Sequence, residues 1–270
     1  MGDPCLSCEV MTGQVLVQKE GSIGWIIFDQ PARRNAITAA MWDAIPQVAH
    51  DLDADPEVRV LAMRGAGEAA FVSGADISEF EGNRIGREAQ VYDERNARAF
   101  DALAGVSKPL VAAIHGFCVG GGCAIALQAD LRVAADDAVF AIPAARLGLG
   151  YGAAGLETLV GVVGLPAAKE IFLTARRFDA EEALAMGLVN RVHPKSELDA
   201  AVESLARQIA DNAPLTLASA KLALRQLGRV GADRDSEAVE RSIARCYESE
   251  DYAEGVRAFL EKRKPVFRGR

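Results

Sequence analysis

The chain has 270 residues, half of them hydrophobic and a quarter charged, enough for one large domain with a buried core and too apolar for a disordered chain. With 30 basic against 38 acidic residues its formal charge is −8, a field that repels nucleic acid and disfavours RNA binding. No run reaches the length of a membrane helix, and residues 1–12, read as a flexible N-terminus, lack the basic start of a secretion signal. Five cysteines, including the single C-x-x-C pair Cys5 and Cys8, form no disulfide framework and fit a reducing cytoplasm. Histidines 50, 115 and 193 are too dispersed to build a metal site.

In chain order, Gln14 to Glu20 and Ile23 to Asp29 are two strand-like runs joined by Gly21-Ser22, a hairpin signature. Thr38 is a candidate N-cap for a helix through about Leu52, with Met41, Ile45, Val48 and Leu52 at helical spacing. A strand follows at Val58 to Met63. Residues 64–76 form a glycine-rich loop, and a polar helix is expected from about Ile85 to Leu103. The strand Leu110 to Ile114 runs into three glycines, 120–122, and then a buried helix over Cys123 to Leu127. Strands return at Leu131 to Ala135 and Val139 to Ile142, and beyond Gly155 the pattern is helical apart from Leu188 to Val192. Pro194 and Pro214 mark helix boundaries. The pattern argues for an α/β core over about 13–195 and a helical segment over 196–270.

Glycines at a helix start let backbone N–H groups approach a ligand, and the helix dipole there favours negative charge. The run Gly120-Gly121-Gly122 is such a place, although close packing of helix on strand explains it equally well when taken alone. It lacks the Gly-Lys-Ser/Thr of a nucleotide-binding loop and the spacing of a dinucleotide fingerprint. A second glycine turn, AFVSGADI, spans Ala70 to Ile77.

Taken together, these motifs resemble the crotonase superfamily, the enoyl-CoA hydratase/isomerase family. Asn35-Ala36-Ile37, SGADI, KPLVAAIHG, the GGG turn, ADLRVAADDAVF, the leucine-glycine stretch within Arg146 to Gly150, ALAMGLVNRV and FLEKRKPVF carry the resemblance in one order along almost the whole chain. It implies a spiral of ββα units followed by C-terminal helices that trimerise, two trimers commonly forming a hexamer. It also implies an acyl-CoA thioester substrate of fatty-acid metabolism, with coenzyme A part of the substrate and no separate cofactor. Carried over by position, the two amides that hold the thioester oxygen fall on Ala75 and Gly121. Ala36 is implied as a substrate contact, and Asp76 and Ile77 lie along the adenine and pantetheine path. Phe259 and Lys262 of a neighbouring subunit's tail are implied to lie near the CoA, with Lys262 near its phosphates; a frayed, solvated basic tail is the lesser alternative for that stretch.

The chain departs from the hydratases of this family at both catalytic glutamates. Their positions read Ala124 in GGGCA and Ala144 in IPAARLG. A positioned acid or base contributes about 10²–10⁴-fold, so hydration is expected to be poor. Arg146 and Tyr151 stand near the gap. Tyr151 and the C-terminal stretch resemble methylmalonyl-CoA decarboxylases, in which a tyrosine hydroxyl orients the departing carboxylate; those enzymes differ in having histidine in place of Ala75 and glutamate in place of Ala124. For each residue a structural role weighs against the functional one, a buried aromatic for Tyr151 and an ion pair for Arg146. The reading is an acyl-CoA enzyme that stabilises a thioester enolate, with β-carboxyacyl decarboxylation or double-bond isomerisation as its reaction, and a non-catalytic CoA-thioester-binding protein as the alternative from another class. His115 as a base, Glu79 and Glu81 at a pocket mouth, and Cys118 and Cys123 as nucleophiles weigh less, while Asp130 reads as structural.

Overall fold

The computed structural model describes residues 13–79, 87–227 and 235–270. The expected N-terminal tail, Cys5, Cys8 and Glu81 lie outside them. Two sheets form the core. The larger holds β1 (Gln14–Glu20), β2 (Ile23–Asp29), β3 (Val60–Gly65), β5 (Leu110–Ile114), β7 (Leu131–Ala135) and β10 (Arg191–His193), in that spatial order. Only β1 and β2 are antiparallel, joined by the two-residue Gly21-Ser22 turn; the remaining pairs are parallel. The smaller sheet runs β4 (Ala70–Val72), β6 (Phe117–Val119), β8 (Val139–Ala141), β9 (Phe178–Asp179).

Parallel strands are covered on both faces, and the period of two along each strand shows it here. In β2, Ile26 and Phe28 join one apolar cluster while Ile23, Trp25 and Ile27 join another; β3 divides Leu61 and Met63 from Val60 and Ala62. The first cluster lies between the two sheets and helices α1 (Ala39–Ala54) and α2 (Arg87–Gly105), while the second is closed by α6 (Leu198–Ala210) through Leu198, Val202, Leu205 and Ala206. Thr38 caps α1, its Oγ1 accepting from Met41 N at 3.2 Å.

The α/β class with C-terminal helices is as expected. Pro214 takes the first position of α7 (Pro214–Leu227), where its missing N–H costs nothing. From Leu198 onward every described element is a helix, ending with α8 (Ser236–Tyr247) and α9 (Glu250–Glu261). The differences are local. Strands β4 and β6, three residues each, stand where a glycine loop and a glycine cluster were expected, because runs this short show no alternation. The buried helix begins two residues early, as α3 (Gly121–Ala126), and the apolar stretch after the short helix α5 (Ala180–Ala185) pairs as β10 only from Arg191.

Candidate active site

Two turns meet between the sheets. After β4 the chain reaches Ala75, which forms a parallel bridge with Ile37: Ile37 N donates to Gly74 O at 2.8 Å and Asp76 N donates to Ile37 O at 2.9 Å. In a parallel bridge the flanking residues bond to the partner, so the N–H of Ala75 points the other way. The second turn follows β6. Gly120 has φ +54, a conformation glycine adopts without strain, and its N–H donates to Ala141 O at 2.8 Å. Gly122 lies against β4, where an added Cβ would come within 2.1 Å of Val72 O. Between them Gly121 is squeezed against Trp42, and a Cβ on it would stand 3.6 Å from Ala75 N. The three glycines therefore serve different ends: a turn, an approach and a packing contact. Neither the Ala75 nor the Gly121 amide has a protein acceptor among the described residues. Because α3 has only six residues, its dipole adds little, and the orientation of the amides comes from the turns.

Both amides border a cavity of about 360 Å³. Ala124, Ala144 and Tyr151 line it too, so the two positions lacking glutamate face the same space as the amides. The Tyr151 ring meets Phe172 edge-on at 4.8 Å between centroids, and Gly155 makes room for it in the first turn of α4 (Ala153–Thr174). The opposite wall comes from α2, whose Asp93, Asn96, Ala97, Phe100 and Asp101 line the cavity beside Trp42. Sequence reasoning passed over this face. Its signal was the spacing of 93, 96, 97, 100 and 101, one stripe of a 3.6-residue helix.

The other expected site residues stand elsewhere. Asp76 does not line the cavity; its carboxylate faces the loop before α1, with Arg33 Nη1 at 2.7 and 2.9 Å from its two oxygens, Ser78 Oγ at 2.7 Å and Gln30 Nε2 at 3.2 Å. Burial raises its carboxyl, but hydrogen bonds from Ser78 and the Arg33 guanidinium outweigh that and hold it below the ordinary carboxylate range. Ala36 is buried and its carbonyl accepts from Gln30 Nε2 at 2.9 Å, so it supports the same turn from behind. The side chain of Ile77 lies outside the described part. Arg146 is exposed at the end of a short 3-10 turn and is not part of the wall, and no ion pair forms at it among the described residues. Phe259, 83% exposed, and Lys262 end α9 away from this cavity.

The lesser candidates have structural roles. Glu79 Oε2 accepts from Ala39 N at 2.7 Å and so caps α1. His115 is packed against Asp199, Nε2 to Oδ1 at 3.0 Å, outside the cavity. Asp130 takes Leu110 N at 2.8 Å and Lys221 Nζ at 2.7 Å. Burial pushes the Cys118 thiol up, and Cys123 Sγ donates to Cys118 O at 2.9 Å, so neither is an activated nucleophile. Among the described residues no group of metal-ligating side chains assembles.

Comparison with known proteins decides the family: the enoyl-CoA hydratase/isomerase model matches residues 18–270. The chain belongs to this family. Over 251 residues it is 35% identical to a short-chain-enoyl-CoA hydratase of Clostridium acetobutylicum, covering 93% of this chain and 95% of that protein. A carnitinyl-CoA dehydratase of Escherichia coli is 34% identical over 265 residues, 96% of this chain and all of the relative. A solved structure described as an enoyl-CoA hydratase/carnithine racemase, from Magnetospirillum magneticum, superposes with a TM-score of 0.90 at 36% identity, covering 95% of this chain and 96% of that one. Within the enoyl-CoA hydratase/isomerase family the crotonase fold thus extends through the C-terminal helices of this member.

The Asp76 cluster gives a pH test. A carboxyl depressed in the folded state adds stability above its unfolded value, about 3.9, which is lost as pH falls through the lower folded value. Asp76→Asn is expected to lower the urea midpoint at pH 7 and to narrow its gap from the parent protein at pH 3. A gap that stays constant across this range would show that ionisation of Asp76 contributes nothing.

Proposed function

We propose that the chain transforms acyl-CoA thioesters by holding the carbonyl oxygen between the N–H groups of Ala75 and Gly121 and stabilising the enolate that forms at the α-carbon. The observation that carries this is the pair of amides, converging on one cavity and without protein acceptors. Two half-buried donors that the fold leaves facing a cavity are ready to take a ligand oxygen there. One such donor is worth about 2.7–4 kcal/mol of barrier where charge develops on that oxygen.

The wall decides how far the chemistry goes. Hydration also needs a positioned base and acid, and at Ala124 and Ala144 the side chains stop at Cβ, facing the cavity with nothing to transfer a proton. Relatives named hydratase or dehydratase therefore share the binding frame more closely than the reaction. Decarboxylation of a β-carboxyacyl ester fits what remains, because the electron pair of the breaking C–C bond becomes the enolate as CO2 leaves and no base is needed, with the Tyr151 phenol to orient the departing carboxylate.

We further infer that the C-terminal helices associate. Tyr247, Tyr252, Val256, Phe259 and Leu260 expose apolar surface on α8 and α9, from 46% for Val256 to 83% for Phe259. Packing this face against further copies as a trimer or hexamer removes it from water and carries Phe259 and Lys262 towards a neighbour's CoA. Light scattering is expected to give a mass of three or six chains, and a monomer at micromolar concentration would overturn this.

For the chemistry, purified protein is incubated with crotonyl-CoA, a β,γ-enoyl-CoA and methylmalonyl-CoA, and each mass is followed. Crotonyl-CoA hydration is expected to be at least about 10²-fold below that of a two-glutamate hydratase, and Ala124→Glu with Ala144→Glu is expected to raise it. Hydration at full hydratase rate by the parent protein contradicts the reading of those positions. Tight binding of all three esters without turnover favours the non-catalytic alternative.

A further inference from the structure

We propose a second binding site, separate from the amide pair, in the cavity of about 210 Å³ between α7, α8 and the loop after α2, and assign it to a small organic carboxylate. The body of this cavity is apolar, lined by Val106, Leu215, Ala218 and Leu222. Three charged side chains border it, Lys221, Arg225 and Arg245. All are cations, and no carboxylate lines it among the described residues. In a chain of formal charge −8, a wall of this single sign stands against the overall balance.

The three cations divide by role. Lys221 is committed to the fold: its Nζ lies 2.7 Å from Asp130 Oδ2 and donates to Lys108 O at 2.8 Å. Burial pushes its ammonium down, Asp130 pulls against that, and the charge of Arg225 adds to the downward push. Arg225 and Arg245 have neither an ion pair nor a hydrogen bond through their guanidinium groups among the described residues. Both lie in the last turn of their helices, where a cation is favourable in its own right. That placement does not require the two to share one apolar cavity, and here they do. A guanidinium is a planar fork of N–H donors that matches the two oxygens of a carboxylate.

The hydroxyl groups leave this task to the arginines. Ser242 Oγ donates to Val239 O at 2.7 Å, so in its contact with Ser219 Oγ at 2.9 Å the proton comes from Ser219. That bond ties α7 to α8 and holds the cavity open between them. Ser107 Oγ donates to Asp53 Oδ1 at 2.9 Å. A ligand with a carboxylate at the rim and methylene groups inward satisfies both halves of the cavity. An inorganic anion leaves the apolar wall unused, and an alcohol leaves the guanidinium charges unused.

The cavity also stands apart from the face assigned above to self-association. Ser242 and Arg245 share one side of α8, three residues apart, whereas the exposed Ile243 and Tyr247 lie on the opposite side.

Calorimetry with hexanoate, hexan-1-ol and inorganic phosphate provides the test. Hexanoate is expected to bind at least about tenfold more tightly than either of the other two, and less tightly as salt is raised, because the arginines are open to water. Arg225→Gln with Arg245→Gln is expected to weaken hexanoate at least about tenfold. Ala218→Leu, which fills the cavity and keeps both charges, is expected to weaken it as well. Unfolding midpoints close to that of the parent protein would establish that both variants are folded. Hexan-1-ol or phosphate binding as tightly as hexanoate, or a hexanoate affinity that survives both variants, overturns the proposal. So does displacement of hexanoate by crotonyl-CoA, which would put it in the amide-lined cavity instead, and so does the absence of hexanoate binding.

Discussion

Backbone hydrogen bonding is the constraint on which the site depends. A buried N–H is almost always spent inside the fold, and here the Ile37 to Ala75 bridge spends the N–H of Ile37 and of Asp76 while turning that of Ala75 outward. Across from it, Gly120 turns the chain at positive φ, and the Gly121 that follows borders the same cavity. Neither orientation depends on a catalytic side chain. The machinery around Ala75 is instead a set of braces: Asp76 held by Arg33, Ser78 and Gln30, Asn35 bonded to the carbonyls of Ala66 and Ala70, and Glu79 capping α1.

This view recasts several residues that the family resemblance makes look functional. Asp76 sits one residue from an amide that would touch substrate, yet its side chain holds the turn from behind, as does the backbone carbonyl of Ala36. Changing them would move an amide rather than remove a contact. The alanines at 124 and 144 are the reverse case: they face the cavity and carry no group that could transfer a proton. Because side chains can change around a fixed amide pair, one frame can serve different acyl-CoA reactions, and the family name does not fix the chemistry of this member.

Much of the fold was legible because the buried strands announce themselves. The β1–β2 hairpin, β5 and β7 fall where their apolar runs place them, and Thr38 caps the helix that it precedes. The three-residue strands β4 and β6 were not, since pairing across the chain rather than local pattern makes them strands. At the site, the glycine run and SGADI identified the turns, whereas their convergence is a tertiary fact. The α2 wall was illegible for a different reason: Asp93, Asn96 and Asp101 read as the solvated face of a polar helix until the structure shows a cavity beside them. Arg146 shows the opposite error, a charge close in sequence to the cavity that the chain directs to solvent.

The central claim is that two amides polarise one thioester carbonyl, and the carbonyl itself reports on it. Isotope-edited vibrational difference spectroscopy of a saturated acyl-CoA labelled with carbon-13 at the thioester carbon measures the stretch free and bound. The account predicts a clear shift to lower frequency on binding, retained in Tyr151→Phe because the donors are backbone groups. A bound ester whose carbonyl stretch matches that of the free ester in water, or lies above it, would contradict the account.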